Sequence, residues 1–261
     1  MTDKIITKKD GAIGRITFNN PDKLNAMSLE MWEGFTEAVL DLDADPAIRV
    51  IVLRGAGDVS FVAGADVSKY EDERMGEDAQ ERYAKAGEIG MAALYKSGKI
   101  SVAAIDGWCI GGGISLAVSC DLRYCSEKSK FGQPAMRYGI GYRYKSLRRV
   151  TDLIGPAATK ELLIGGASFD AAEALAKGLI GKVLPEAGFM DAVLKLANRI
   201  AEGAPLTLKQ VKHAIAQIVR DPDQRELDKS EQLFQACYAS ADYREGIRAF
   251  AEKRKPAFKG R

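Results

Sequence analysis

An α/β fold with crossover connections is predicted by three features of this chain. Short apolar runs rich in Val and Ile recur at residues 13–18 (IGRITF), 49–54 (RVIVLR) and 100–105 (ISVAAI). Segments with helical spacing lie between them, so strand and helix alternate with long connections. From about residue 156 the texture becomes almost wholly helical, which places a helical region behind a β-rich start.

Each element has a local cause. Thr2, Asp3 and Lys4 lead into a strand-like segment, and the β-branched run 13–18 is closed by the turn cluster NNPDK. Ser28 offers the short hydroxyl of an N-cap, and Met31 and Trp32 open an amphipathic helix to about Leu42. Continuous Val, Ile and Leu at 49–54 marks a strand covered on both faces, and 55–59 turns away from it. The charged run 71–85 (EDERMGEDAQERYAK) reads as a solvated helix or flap, with helix from about Asp78 to Lys96. Residues 100–120 have the length of a membrane span, about 20 residues. Asp106 and four glycines within them argue instead for a buried strand, a turn and a helix from Ile114 to about Ser119. Beyond Pro156 only 182–184 reads as a strand, and no internal repeat is visible.

Composition removes several kinds of chemistry. The 261 residues carry 38 Lys and Arg against 36 Asp and Glu, which gives no basic stripe for a nucleic acid. A single histidine, His213 in a helical stretch, disfavours Ser-His-Asp or Cys-His catalysis and a histidine-built zinc site, so no metal is expected. Cys109, Cys120, Cys125 and Cys237 lack paired spacing and read as small buried hydrophobes in a reducing compartment. With no secretory leader pattern after Met1, a cytoplasmic location is expected.

Two glycine-rich turns carry the chemistry. Residues 61–66 (FVAGAD) and 110–115 (IGGGIS) each follow a predicted strand, and the second opens a helix. Glycine lets backbone approach a ligand closely, and a helix start leaves N–H groups free to face negative charge. Two such turns side by side could hold one oxygen between two N–H donors. Neither fits a dinucleotide fingerprint or a P-loop. Asp66, just after a tight turn, reads first as a helix cap, and Asp121 as a carboxylate satisfying backbone groups.

In order along nearly the whole chain, KLNAMS (23–28), FVAGADVSKY (61–70), AAIDGWCIGGGISLAVSCDLRYCSEKSKFGQP (103–134), FDAAEALAKGLIGKVLP (169–185) and AFAEKRKPAF (249–258) resemble the enoyl-CoA hydratase/isomerase family of the crotonase superfamily. The resemblance implies a spiral core of repeated ββα units followed by a helical C-terminal region. Residues 1–195 would be the core with the acyl-CoA site, and 196–261 the oligomerisation region of a homotrimer or dimer of trimers active in fatty acid metabolism. It also implies a backbone oxyanion hole at Ala65 and Gly112 for a thioester enolate. The coenzyme A contacts carry over to Lys23 and Leu24, to Ala63, Ala65, Asp66, Val67 and Ser68, and, from a neighbouring subunit, to Phe250 and Lys253. Coenzyme A enters as part of the substrate, with no separate cofactor, membrane or nucleic-acid partner.

The chain departs from that pattern where hydratases carry two glutamates, because Ser115 and Ala135 stand there. A lone serine hydroxyl has no useful acidity near neutral pH and alanine has no proton to give. The segment 136–149 (MRYGIGYRYKSLRR) also replaces a glycine-rich stretch and reads as a surface loop. Within it Tyr142 falls where malonyl-type acyl-CoA decarboxylases of the superfamily carry a tyrosine, and Arg137 or Arg143 could recognise a carboxylate. Three readings result, with Ala65, Gly112, Tyr142 and Ser115 as the candidate catalytic residues: hydratase or isomerase chemistry with some other residue supplying the proton; decarboxylation or other enolate chemistry of a carboxyacyl-CoA using Tyr142; and an acyl-CoA binder that has lost catalysis.

Overall fold

The structure is a computed structural model that describes residues 2–166 and 168–261, without the side chains of Pro134 and Ala135. In chain order its elements are β1 (Ile5–Asp10), β2 (Ile13–Phe18), α1 (Leu29–Ala44), β3 (Val50–Gly55), β4 (Ser60–Val62), α2 (Tyr70–Arg74), α3 (Glu77–Lys96), β5 (Ile100–Ile105), β6 (Trp108–Ile110), α4 (Gly112–Ser119), β7 (Leu122–Ser126) and β8 (Lys130–Gly132). They are followed by α5 (Tyr144–Leu163), β9 (Phe169–Asp170), α6 (Ala171–Ala176), β10 (Lys182–Leu184), α7 (Phe189–Ala201), α8 (Pro205–Ile218), α9 (Leu227–Ala239) and α10 (Ala241–Ala251).

Two sheets organise the core. One runs β1-β2-β3-β5-β7-β10, the other β4-β6-β8-β9. Pairing is parallel throughout except β1 with β2 and β8 with β9. The pairs β3–β4, β5–β6 and β7–β8 each place one strand in either sheet and then enter helix. Every turn of this ββα unit advances one strand in both sheets, which is a spiral, and the α/β fold with a helical C-terminal region is what the chain adopts. Periodicity did not announce β4, β7 or β8 separately, since strands of 3 to 5 residues carry too little pattern. The supposed membrane-length stretch is divided among β5, β6 and α4, and no described helix is long and apolar enough to cross a membrane.

The unbroken apolar run of β3 follows from burial on both faces. Val50 and Val52 pack with Phe189, Val193 and Ala197 of α7, whereas Ile51 and Leu53 join the larger core under α1. There Phe18 stands 5.6 Å from Phe35 and 5.7 Å, edge-on, from Phe61 (ring centroids). Ser28 accepts the N–H of Met31 and starts α1 where its hydroxyl suggested. The segment after residue 143 is not loop: α5 begins at Tyr144 and changes course at Gly155, whose φ of 73° and ψ of 164° break the helical path before Pro156.

Burial holds the thiols of Cys109, Cys120 and Cys125 protonated, that of Cys120 pushed up to about 12. Cys237 is half-buried. Thiol titration of the native protein is therefore expected to find one reactive group, Cys237, and four after denaturation. Fast modification of three or more in the native protein would contradict this packing.

Asp121 ties α8 to the core. One of its carboxylate oxygens accepts the Ser101 N–H and hydroxyl at 2.7 and 2.8 Å, and the Lys212 ammonium lies 2.9 Å from it. Asp121→Asn leaves a largely buried lysine without its counter-charge. It is expected to lower stability by about 2 kcal/mol in denaturant titrations, a value reduced from the fully buried case because the carboxylate is partly solvated.

Candidate active site

The first glycine turn is held from below by the segment that follows β2. The Met27 N–H donates to the Gly64 carbonyl at 2.8 Å and the Asp66 N–H to the Met27 carbonyl at 2.9 Å, a short parallel bridge across Ala65. Ala63 N–H donates to the Leu24 carbonyl at 3.1 Å, so Lys23 and Leu24 lie beside 63–66. The turn of that segment depends on Leu24 and Asn25, both with positive φ. The buried Asn25 amide donates to the Ser60 and Ala56 carbonyls at 2.7 and 3.0 Å, clamping the segment to β4. Only an asparagine before an apolar run hinted at this, a residue type that tolerates the left-handed region. Asp66 is spent locally: one oxygen accepts the Ser68 N–H at 3.0 Å and its hydroxyl at 2.6 Å, capping the turn Val67–Lys69.

The second turn leaves β6 at Gly111, whose φ of 57° and ψ of −115° start α4 abruptly. The two turns touch. A Cβ placed on Gly64 would lie 3.8 Å from the Gly112 nitrogen and 3.9 Å from the Gly111 Cα, and one placed on Gly112 would lie 3.8 Å from the Gly64 Cα. Among the described residues no acceptor takes the N–H of Ala65 or of Gly112. Two uncommitted donors at adjoining glycine turns, one of them at a helix start, make a place where negative charge on an oxygen is stabilised.

Around this pair the side chains separate into near and far. Ser115 is half-buried on α4, one turn past Gly111, with its carbonyl taken by the Ser119 hydroxyl at 2.7 Å. Arg149 reaches that hydroxyl at 3.1 Å and stacks 5.2 Å from the Tyr95 ring centroid. Gln133, 6% exposed, donates from its amide to the Gly111 carbonyl at 3.2 Å and accepts the Tyr142 hydroxyl at 3.3 Å. Tyr83 of α3 donates to the Met27 carbonyl at 2.9 Å, beneath the first turn. Ala135 belongs to the turn Pro134–Tyr138, and its side chain lies outside the described residues.

Other candidates sit elsewhere. Arg143 is engaged by Glu81 and, at 3.5 Å, Glu88 of α3, so its charge already has carboxylates. Arg137 is exposed. His213 is half-buried on α8. Phe250 is 87% exposed on α10 and Lys253 follows it with φ of 55°, in a helix that packs on α9 and on the chain end, where Asp242 accepts the Lys259 and Gly260 N–H groups.

A family description of Enoyl-CoA hydratase/isomerase matches residues 8–261. The chain belongs to the enoyl-CoA hydratase/isomerase family. It is 31% identical over 260 residues to a short-chain-enoyl-CoA hydratase of Clostridium acetobutylicum, covering 99% of both chains. It is 30% identical to a carnitinyl-CoA dehydratase of Salmonella paratyphi A, covering both completely. Among solved structures, an enoyl-CoA hydratase/carnithine racemase from Magnetospirillum magneticum matches with a TM-score of 0.93 at 35% identity, over 100% of this chain and 97% of that one. The protein is thus an enzyme of the hydratase/isomerase family. Sequence reasoning found both glycine turns of this family member but missed Gln133, Asn25 and Tyr83, whose roles lie in contacts across the fold.

Proposed function

We propose that the protein holds the thioester carbonyl of an acyl-CoA between the backbone N–H groups of Ala65 and Gly112 and carries out enoyl-CoA hydratase/isomerase chemistry through the enolate formed there. The observation that carries this reading is the contact between the two glycine turns with both N–H groups uncommitted. In hydration, a water oxygen bonds the β-carbon and gives up one proton, the double-bond electrons move to the thioester oxygen, and as the enolate collapses the α-carbon takes a proton, so that the elements of one water are added. The N–H dipoles are fixed before the reaction, so they favour the charged intermediate over the neutral ester. Lys23, Leu24, Ala63, Ala65, Asp66, Val67 and Ser68 would supply the coenzyme A contact on one side. Phe250 and Lys253 would complete it from a second subunit of a homotrimer or hexamer assembled through 196–261, a role supported by the bare Phe250 ring. The test is loss of the conjugated enoyl thioester absorbance of crotonyl-CoA with purified protein, with formation of 3-hydroxybutyryl-CoA. No turnover of crotonyl-CoA or longer enoyl-CoAs would sink the hydratase reading.

A second reading, decarboxylation of a carboxyacyl-CoA, is supported by the fate of nearby acids. Asp66 caps its own turn, Asp121 faces Lys212, and Ser115 occupies α4 without a carboxylate. In that reaction the bond from the α-carbon to the carboxylate breaks, its electron pair enters the enolate, carbon dioxide leaves and the α-carbon is protonated. No strong base is needed. Mass spectrometry of malonyl-CoA and methylmalonyl-CoA incubations separates the readings, and inertness toward every acyl-CoA would leave a binding protein.

A further inference from the structure

We infer that Gln133 is a positioning residue that aims the Gly112 N–H, and that Tyr142 acts on the reaction through Gln133. The inference rests on the anion site proposed above. A peptide unit is planar and trans, so its carbonyl and the next residue's N–H point in opposite directions. Whatever holds the Gly111 carbonyl therefore sets where the Gly112 N–H points. An amide whose carbonyl accepts a hydrogen bond is also a stronger donor at its nitrogen.

The two arms of the site are held in different ways. On the first, the Gly64 carbonyl accepts the Met27 N–H, and this sets the Ala65 N–H by main chain alone. On the second, the Gly111 carbonyl accepts the Ile114 and Ser115 N–H groups at 3.1 and 3.4 Å as α4 begins, and the Gln133 amide at 3.2 Å. Among the described residues Gln133 is the one side chain that donates to either carbonyl. A carbonyl can only accept, so the Gln133 nitrogen faces Gly111 and its oxygen is left for the Tyr142 hydroxyl at 3.3 Å. Burial of Gln133 makes this orientation costly to abandon. The unusual segment 136–149 thereby reaches the proposed donor through one amide.

The deciding measurement is the infrared band of the 13C-labelled thioester carbonyl of butyryl-CoA, bound to wild type, Gln133→Met and Tyr142→Phe. Wild type is expected to shift the band to lower frequency, Gln133→Met to shift it clearly less, and Tyr142→Phe to fall between. For acyl-CoA turnover, kcat should fall about fivefold in Gln133→Met and about twofold in Tyr142→Phe, with KM within about twofold, as expected for loss of one neutral hydrogen bond. A purely structural role would lower the melting temperature and leave the band where it was. A wild-type shift retained in full by both variants overturns the role of Gln133 and leaves the anion site standing. No shift in wild type removes the anion site, and this inference with it. Should Gln133→Met not fold, Tyr142→Phe decides alone, because its ring keeps the packing and loses only the hydroxyl.

Discussion

Gly112→Pro is expected to lower turnover by about two to three orders of magnitude while the protein still folds, the effect of deleting one preorganised donor to an oxyanion. Proline has no N–H, and Gly112 is the first residue of α4, the helical position that tolerates proline best. Gly111, with φ of 57° and ψ of −115°, is outside the helical region that a following proline disfavours. A Cβ on Gly112 meets Trp32 and Gly64 only at 3.8 Å, an ordinary contact. The loss should fall on kcat more than on KM, because the donor is worth most when the oxygen carries charge. Gly112→Ala keeps the N–H and should lose less than about tenfold. Circular dichroism and a melting curve check the fold. A proline variant that is folded and fully active would exclude Gly112 as a donor.

The neighbouring glycine behaves differently. A Cβ on Gly113 would lie 2.2 Å from the Val62 carbonyl oxygen, and the obstacle is backbone at the end of β4. No side-chain rotation relieves it. Gly113→Ala is expected to destabilise the fold by about 3 kcal/mol or more, read as a lower denaturant midpoint with unchanged slope. An unchanged midpoint would mean that α4 does not press on β4 as described. Adjacent positions in one GGG run thus separate activity from stability, which composition alone could not do.

Several features were legible from residue order. The α/β alternation, the Ser28 cap and the two glycine turns each rest on local chemistry: β-branched runs, a short hydroxyl before an apolar helix, and residues without a Cβ. Residues 136–149 read as a surface loop, yet α5 starts at Tyr144 because Val150 is buried and Leu153 and Ile154 pack on the core, a drive that the polar and aromatic start conceals. Arg143, free in the sequence as a carboxylate receptor, is met by Glu81 and Glu88, which lie more than fifty residues earlier.

By itself the sequence determined that this chain builds alternating strands and helices and that two glycine-rich turns follow its strands, because both properties follow from neighbours within a few residues. The tertiary structure alone decided that the two turns meet, that Asp121 faces Lys212, and that Gln133 connects Tyr142 to Gly111. Those are contacts between segments far apart in the chain, and their geometry is fixed by how the two sheets stack, a quantity no local pattern records.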